Sequence, residues 1–311
     1  MAKSFTIGCK NELARIQARR RCCRMAELSA LLRLEGRLHL EGREQVSLHT
    51  ESENAAVARK IFKLTKDLFG TNLSLDINRI PRPRKHNCYY LFLGHDKAAQ
   101  ILNELGILDD HLHVVYEVPR RLVKSNCCGA AYLRGAFLGG GFTASPTREH
   151  QLEIAVSHPQ LAEELQALMA RYDIAAQVTQ RKNLHLVYLK SAPRITTLLA
   201  LMGAYDCVMA MENEAILREL RNNVNRLVNC DTANLNKTVD ASREQIEVIN
   251  RIQSGAGLEA LPAALRQIAE GRLDHPLASV TELGESMDPP LSKSATYHRL
   301  RRLVQYGANC R

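Results

Sequence analysis

The sequence predicts an α+β fold in which one αββαββα unit occurs twice and is followed by an all-α tail. Two observations carry this. A fifteen-residue stretch near the N-terminus returns 105 positions later with the same pattern of elements behind it, and the chain after residue 258 holds only short amphipathic helical runs. At 311 residues the length suits about two domains. A content of 45% hydrophobic residues excludes a chain disordered throughout, and neither a Gly-X-Y period nor a coiled-coil bias is present.

The first copy reads Cys22-Cys23-Arg24-Met25-Ala26-Glu27-Leu28-Ser29-Ala30-Leu31-Leu32-Arg33-Leu34-Glu35-Gly36, and the second runs from Cys127 to Gly141. Cys23 aligns with Cys128, Leu28 with Leu133 and Gly36 with Gly141 without a gap. After Gly36, alternation over Arg37 to Leu40 and Gln45 to Thr50 predicts a hairpin, and Ala56, Ile61, Leu64 and Leu68 predict a helix over 52–69. Strands over 72–80 and 88–93 follow, then a helix over 96–105. After Gly141 the order recurs: a hairpin ending at 151–156, a helix over 159–172, strands over 174–179 and 184–189, and a helix over 193–202. An antiparallel sheet of this kind is covered by helices on one face and open on the other. Small residues, Ser29 and Ala30 in one opening helix and Gly135 and Ala136 in the other, predict a close pseudo-symmetric seam between the two.

From Cys207 to Ile252 the pattern turns to long polar helices, with Asn229-Cys230-Asp231-Thr232-Ala233-Asn234 expected to break the helix and Ser242 to begin another. Three helical runs make the tail: Pro262 to Glu270, then Ser279 to Met287 with Val280, Leu283 and Met287 inward, then a run N-capped by Ser292. Asp288-Pro289-Pro290-Leu291 cannot continue a helix and separates the last two. In the third run Thr296, Leu300, Leu303 and Val304 fall inward. Lys293, Ser294, Tyr297, His298, Arg301 and Arg302 fall outward. This is the pattern of a helix-turn-helix, whose second helix enters the DNA major groove. Lys293, Arg299, Arg301 and Arg302 suit phosphates, while Ser294, Tyr297 and His298, near the helix start, suit base edges.

The charge balance agrees with an anionic partner: 42 Lys and Arg against 33 Asp and Glu, a net charge of +9. No apolar stretch is long enough to span a membrane, and the Arg15 to Arg24 cluster has no apolar segment behind it, so a cytoplasmic, nucleoid-associated protein is expected. The nine cysteines include no CxxC, which favours free thiols in a reducing compartment. Cys22-Cys23 and Cys127-Cys128 occupy equivalent places in the two copies. Four thiols at a helix seam suit zinc or redox sensing, but neighbouring cysteines point in different directions on a helix, which favours buried structural thiols. His86, His95, His111 and His113 lack zinc-protease spacing, and no Walker or dinucleotide glycine pattern occurs. No metal, cofactor or small-molecule substrate is expected.

The segments Leu28 to Gly36 and Leu133 to Gly141 resemble the LAGLIDADG motif of homing endonucleases. Together with Cys127 to Leu138, Asn225 to Asn234 and Ser292-Lys293-Ser294, the chain resembles the WhiA family of bacterial transcription regulators over nearly its whole length. The resemblance implies a 1–22 N-terminal helical segment, a duplicated LAGLIDADG-like domain over 23–206 (repeats 23–106 and 128–206), a helical linker over 207–257 and a helix-turn-helix domain over 258–311. It also implies double-stranded DNA as partner, with other transcription or cell-division proteins, and a part in cell division, chromosome segregation or sporulation. The DNA-contacting set it suggests is Ser292, Lys293, Ser294, Thr296, Tyr297, His298, Arg299, Arg301 and Arg302, although Tyr297 stands where relatives are expected to carry Asn.

In active endonucleases of this fold each motif helix presents a carboxylate, one residue before its last glycine, to metal ions. Here the first copy has Glu35 and the second has Gly140, and one carboxylate does not hold a symmetric pair of metal sites. Strand cleavage is therefore not expected, and Glu35 reads as a solvated helix-end carboxylate. The open sheet faces carry Arg37, Arg43, Arg82, Arg84, Lys85, Arg181 and Lys182, which favour a DNA contact. Glu41, Glu44, Asp76 and Glu153 oppose one, so DNA and protein docking stay equally open there. The alternatives to a regulator are a residual metal-dependent endonuclease and a protein-interaction scaffold that binds DNA non-specifically.

Overall fold

A computed structural model of the chain describes residues 4–41, 45–80 and 86–309, which divide into two compact units, 1–217 and 218–311. The first unit begins with α1 (Phe5–Arg15), followed by the first repeat: α2 (Arg21–Glu35), β1 (Gly36–Glu41), β2 (Gln45–Ser52), α3 (Ala55–Phe69), β3 (Ser74–Ile80), β4 (His86–Leu93) and α4 (His95–Glu104). The second repeat is α5 (Asn126–Gly140), β5 (Gly141–Thr143), β6 (Leu152–Val156), α6 (Pro159–Ala170), β7 (Gln177–Arg181), β8 (Leu184–Leu189) and α7 (Ala192–Met202). The two antiparallel sheets have the same strand order, β1-β2-β4-β3 and β5-β6-β8-β7. Both motif helices hand over to their first strand through a glycine in nearly identical extended geometry, Gly36 at φ −85°, ψ 139° and Gly141 at φ −82°, ψ 144°. The predicted αββαββα duplication is the observed fold.

The helices form for visible local reasons. Asn54 Oδ1 accepts the Ala56 and Val57 N–H groups at the start of α3, and Gly70, at φ 65°, ends it in the left-handed conformation. By contrast, α2 and α5 have no side-chain cap and are buried on nearly every face along their middle turns, as suits helices in the centre of a domain. Met25 through Leu32 are all buried, as are Ala131 through Leu138. Their seam closes at Gly135, where a Cβ would collide with the Glu27 carbonyl oxygen and sit 3.0 Å from the Ala30 methyl. The small residues therefore set how near the helices come.

Beside this seam lies a buried ion cluster. Glu27, with no exposed surface, accepts Arg134 Nε at 2.8 Å and Nη2 at 3.0 Å and Lys60 Nζ at 2.7 Å. One carboxylate thus faces two cations, and backbone carbonyls at helix ends supply the remaining acceptors. Lys60 donates to Leu13 O at 3.2 Å and Ile16 O at 2.6 Å at the end of α1, and Arg134 donates to Met202 O at 3.1 Å at the end of α7. Those carbonyls are the negative ends of helix dipoles. The cluster joins α1, α2, α3, α5 and α7.

The N-terminal segment is more than an overhang. Thr6 Oγ1 donates to Thr143 O at 2.7 Å, bringing α1 to the second sheet. The Glu12 carboxylate accepts the Asp206 and Cys207 N–H groups at 2.7 and 3.1 Å, capping the start of α8 (Tyr205–Ser254). Cys9 and Cys207 form a disulfide, which corrects the expectation that the cysteines are all free; Cys22, Cys23, Cys88, Cys127, Cys128 and Cys230 are free. A second correction concerns α8. Asn229 to Asn234 do not break it, because the segment contains neither proline nor glycine, and its Asn, Asp and Thr residues each cost only about 0.5 kcal/mol of propensity. Among the described residues no helix is long and apolar enough to cross a membrane.

The second unit has its own core. Val248, Ile249 and Ile252 of α8 pack with Leu261, Leu265, Ile268, Ala269, Leu283, Met287, Leu300 and Leu303. These residues come from α9 (Ala263–Asp274), α10 (Val280–Glu285) and α11 (Lys293–Asn309) together with their connections.

Truncating Glu27 strands two buried cations. Glu27→Ala is expected to cost about 3–5 kcal/mol in urea unfolding, with Glu27→Gln costing less because it retains the acceptor oxygen. A midpoint unchanged in both variants would refute this role of the cluster.

Candidate nucleic-acid interface

In the second unit α10 starts with a capping box: Ser279 Oγ accepts the Glu282 N–H, and Glu282 Oε2 accepts the Ser279 N–H at 2.7 Å. The turn to α11 is fastened at several points. Leu291 N–H donates to Gly284 O at 2.8 Å and Gln267 Nε2 donates to Asp288 O at 2.5 Å, while ahead of α10 buried Arg272 donates to Ala278 O at 2.6 Å and holds the α9–α10 connection. Gly284 lets the helices touch, since a Cβ there would lie 2.5 Å from Thr296 Oγ1 and 2.6 Å from Leu291 O. Ser292 Oγ accepts the Ala295 N–H at 3.3 Å, so the predicted cap is in place.

With Leu300 and Leu303 buried, α11 exposes Lys293, Ser294, Tyr297, His298, Arg301 and Arg302, as well as Ser292 before its first turn. Two residues of the predicted set behave otherwise. Thr296 is fully buried against α10, with Oγ1 donating to Ser292 O at 3.0 Å, so it packs the turn and does not face a groove. Arg299 is half-buried and donates to Gln267 Oε1 at 3.3 Å, which commits its guanidinium to α9. Sequence spacing alone did not single out two residues of α9: Gln267, which holds the α10–α11 turn, and Arg272, which holds the α9–α10 connection.

In the first unit Glu35 sits at the end of α2, in a cleft lined by α1, α3 and residues 51–54. It is half-buried, not solvated as expected. Burial, followed by the repulsion of Glu51 and Glu53, pushes its carboxyl up to about 7, against the pull of Lys10 and a hydrogen bond with Ser52. Lys10, whose own pKa burial lowers, comes from α1 and donates to Gly139 O at 3.3 Å, next to the equivalent end of α5. An ammonium therefore stands between the two motif ends. At the equivalent position, Gly140 has no room for a side chain: a Cβ would collide with Ala155 O and lie 2.9 Å from Leu34 Cδ2. Nothing in the sequence marked Lys10, because it lies outside the repeat.

The open sheet faces give a mixed surface. Arg37 is paired to Glu51 at 3.3 Å, and Tyr90 donates to the same carboxylate at 3.2 Å. Asp76 accepts the Ile77 N–H, Glu153 accepts from Gln151, and Arg181 and Lys182 are exposed at the β7–β8 turn. Arg43, Glu44, Arg82, Arg84, Lys85 and the side chain of Glu41 lie outside the described residues.

A carboxyl raised from its ordinary 4.5 to about 7 binds a proton in the folded chain that the unfolded chain has already released. Its contribution to stability accordingly falls as pH rises across that window. An NMR titration of labelled glutamate should place the Glu35 midpoint near 7, and Lys10→Met should move it higher; a midpoint at the ordinary value would contradict the buried site.

Comparison with known proteins agrees with this architecture. The chain matches the WhiA N-terminal LAGLIDADG-like domain over residues 21–108, the WhiA LAGLIDADG-like domain over 129–221 and the WhiA C-terminal HTH domain over 224–306. It is 46% identical to the "Probable cell division protein WhiA" of Heliobacterium modesticaldum, covering 96% of this chain and 94% of that protein. The protein of the same name from Alkaliphilus metalliredigens is 42% identical, over 97% and 96%. The fold is similar to the crystal structure of full-length DUF199/WhiA from Thermatoga maritima, with a TM-score of 0.61 at 22% identity over 99% of both chains. With all three domains matched in order and such identity along nearly its whole length, the chain belongs to the WhiA family.

Proposed function

We propose that this chain is a non-catalytic regulator that binds double-stranded DNA through α11 and acts in the cytoplasm, at the nucleoid, in transcription tied to cell division, chromosome segregation or sporulation. The observation that carries this reading is the solvent face of α11. Lys293, Arg301 and Arg302 offer charge to phosphates, and Ser294, Tyr297 and His298 stand at the first turns, where a recognition helix meets base edges. Residues 258–311 serve as the reading domain, 207–257 as its connector and 23–206 as the duplicated domain. The cell-division names of the relatives support the biological setting.

Loss of cleavage is supported by the ends of the motif helices. A two-metal mechanism needs carboxylate oxygens on both sides of the scissile bond. Here one side is glycine with no space for a side chain, and the other carboxyl has Lys10 beside it and a raised pKa. Arrangements of this kind disfavour a divalent cation.

The test is capture of sheared genomic DNA by the full chain at ~0.15 M salt with magnesium, followed by sequencing and sizing. A few enriched, uncut loci are expected. Even recovery would favour a scaffold with non-specific binding, and defined new ends inside fragments would favour a nuclease. Arg301→Ala should weaken binding to all sequences and reduce the salt slope by about 1, whereas Ser294→Ala or His298→Ala should change which sequences are preferred. Unchanged binding in both classes would remove α11 from the interface.

A further inference from the structure

The seam between the motif helices ends in a cluster of thiols that the DNA-binding reading does not use. Cys22 and Cys23 lie in the first turn of α2, and Cys127 and Cys128 in the first turn of α5. Because the two helices start side by side, the pairs converge, and the expectation that adjacent cysteines would point apart is met only within each pair. Each helix contributes one buried thiol, Cys23 or Cys128, and one exposed thiol, Cys22 or Cys127. Cys23 Sγ and Cys128 Sγ are 3.9 Å apart, and the sulfurs of Cys22, Cys23 and Cys128 all lie within 4.8 Å of one another. Cys127, adjacent to Cys128 in the same turn, is the fourth thiol, with its Sγ 3.4 Å from Ser125 Oγ and 3.7 Å from Arg20 Nη1.

We propose that Cys22, Cys23, Cys127 and Cys128 form a four-thiolate site for zinc that staples α2 to α5 where the two repeats begin. In tetrahedral coordination at about 2.3 Å per bond the sulfurs stand about 3.8 Å apart. The Cys23–Cys128 edge already has that length, and Cys22 Sγ lies within 4.8 Å of both. Four protein ligands leave no open position, so the site is structural, not catalytic. Zinc with four thiolates carries a net charge of −2. That charge meets the positive ends of two fifteen-residue helices, neither capped by its own side chain, and the Arg20 guanidinium. Binding releases the thiol protons to solvent.

The experiment uses cobalt(II) as probe on the full chain, reduced and stripped of metal. One equivalent should produce sulfur-to-cobalt charge transfer and the intense visible bands of tetrahedral thiolate coordination, and zinc(II) should abolish both. Zinc should also raise the melting temperature. The Cys22→Ser/Cys127→Ser variant changes only exposed positions and should fold, yet lose the bands and the zinc-dependent rise. Absence of charge transfer in the parent would overturn the proposal, as would the same bands in the variant, which would assign the metal to other cysteines.

Discussion

The first unit depends on a single buried carboxylate. Glu27 lies on the motif helix of one repeat, yet its partners come from the motif helix of the other, Arg134, and from the first sheet-covering helix, Lys60. Burying three charges is unfavourable unless every donor and acceptor finds a partner, and here the surplus cation is offset by the carbonyl ends of α1 and α7. Such an arrangement tolerates little displacement. It fixes the rotation of α2 about its axis, and with it the direction in which Glu35, two turns further on, leaves the helix. The apolar seam draws the two helices together; the ion cluster determines which faces meet.

The duplication is close in backbone and divergent in chemistry. Strand order and the dihedral angles of the helix-to-strand glycines agree between the repeats. The side chains at the seam do not: Glu27 has no acidic counterpart in α5, and Glu35 is matched by a glycine. The symmetry of the scaffold therefore does not extend to the ends of the motif helices, where a carboxylate in one repeat is matched by a glycine in the other, and the N-terminal helix, which belongs to neither copy, supplies Lys10 to the gap between them.

Much of this was legible in the sequence, because the signals were local or repeated. A constant 105-residue spacing gave the duplication, alternation gave the strands, and Ser279, Ser292 and the Pro289-Pro290 break delimited the helix-turn-helix. What was missed depends on long-range packing. Thr296 falls inward in the helical pattern yet also belongs to the DNA-contacting set that the resemblance suggests, and its close packing on Gly284 decides for the inward role. Arg299 sits in a basic run, and its attachment to Gln267 thirty-two residues earlier leaves no pattern. Lys10, Cys9 and Glu12 lie in a segment without periodic partners, so their tertiary roles had no sequence signature. The continuity of α8 is hidden for a different reason: a cluster of weak helix formers resembles a terminator but, without proline or glycine, does not act as one.

The closed space at Gly140 bears on how such a fold can change. An acidic residue restored there would meet the Ala155 carbonyl and Leu34 before it reached any ligand position, so α5 and β6 would first have to separate. With Lys10 also reaching toward the same helix ends, no single codon change recreates two opposed carboxylates. The packing around Gly140 opposes an acidic side chain at that helix end, whereas the exposed surface of the scaffold carries no such constraint.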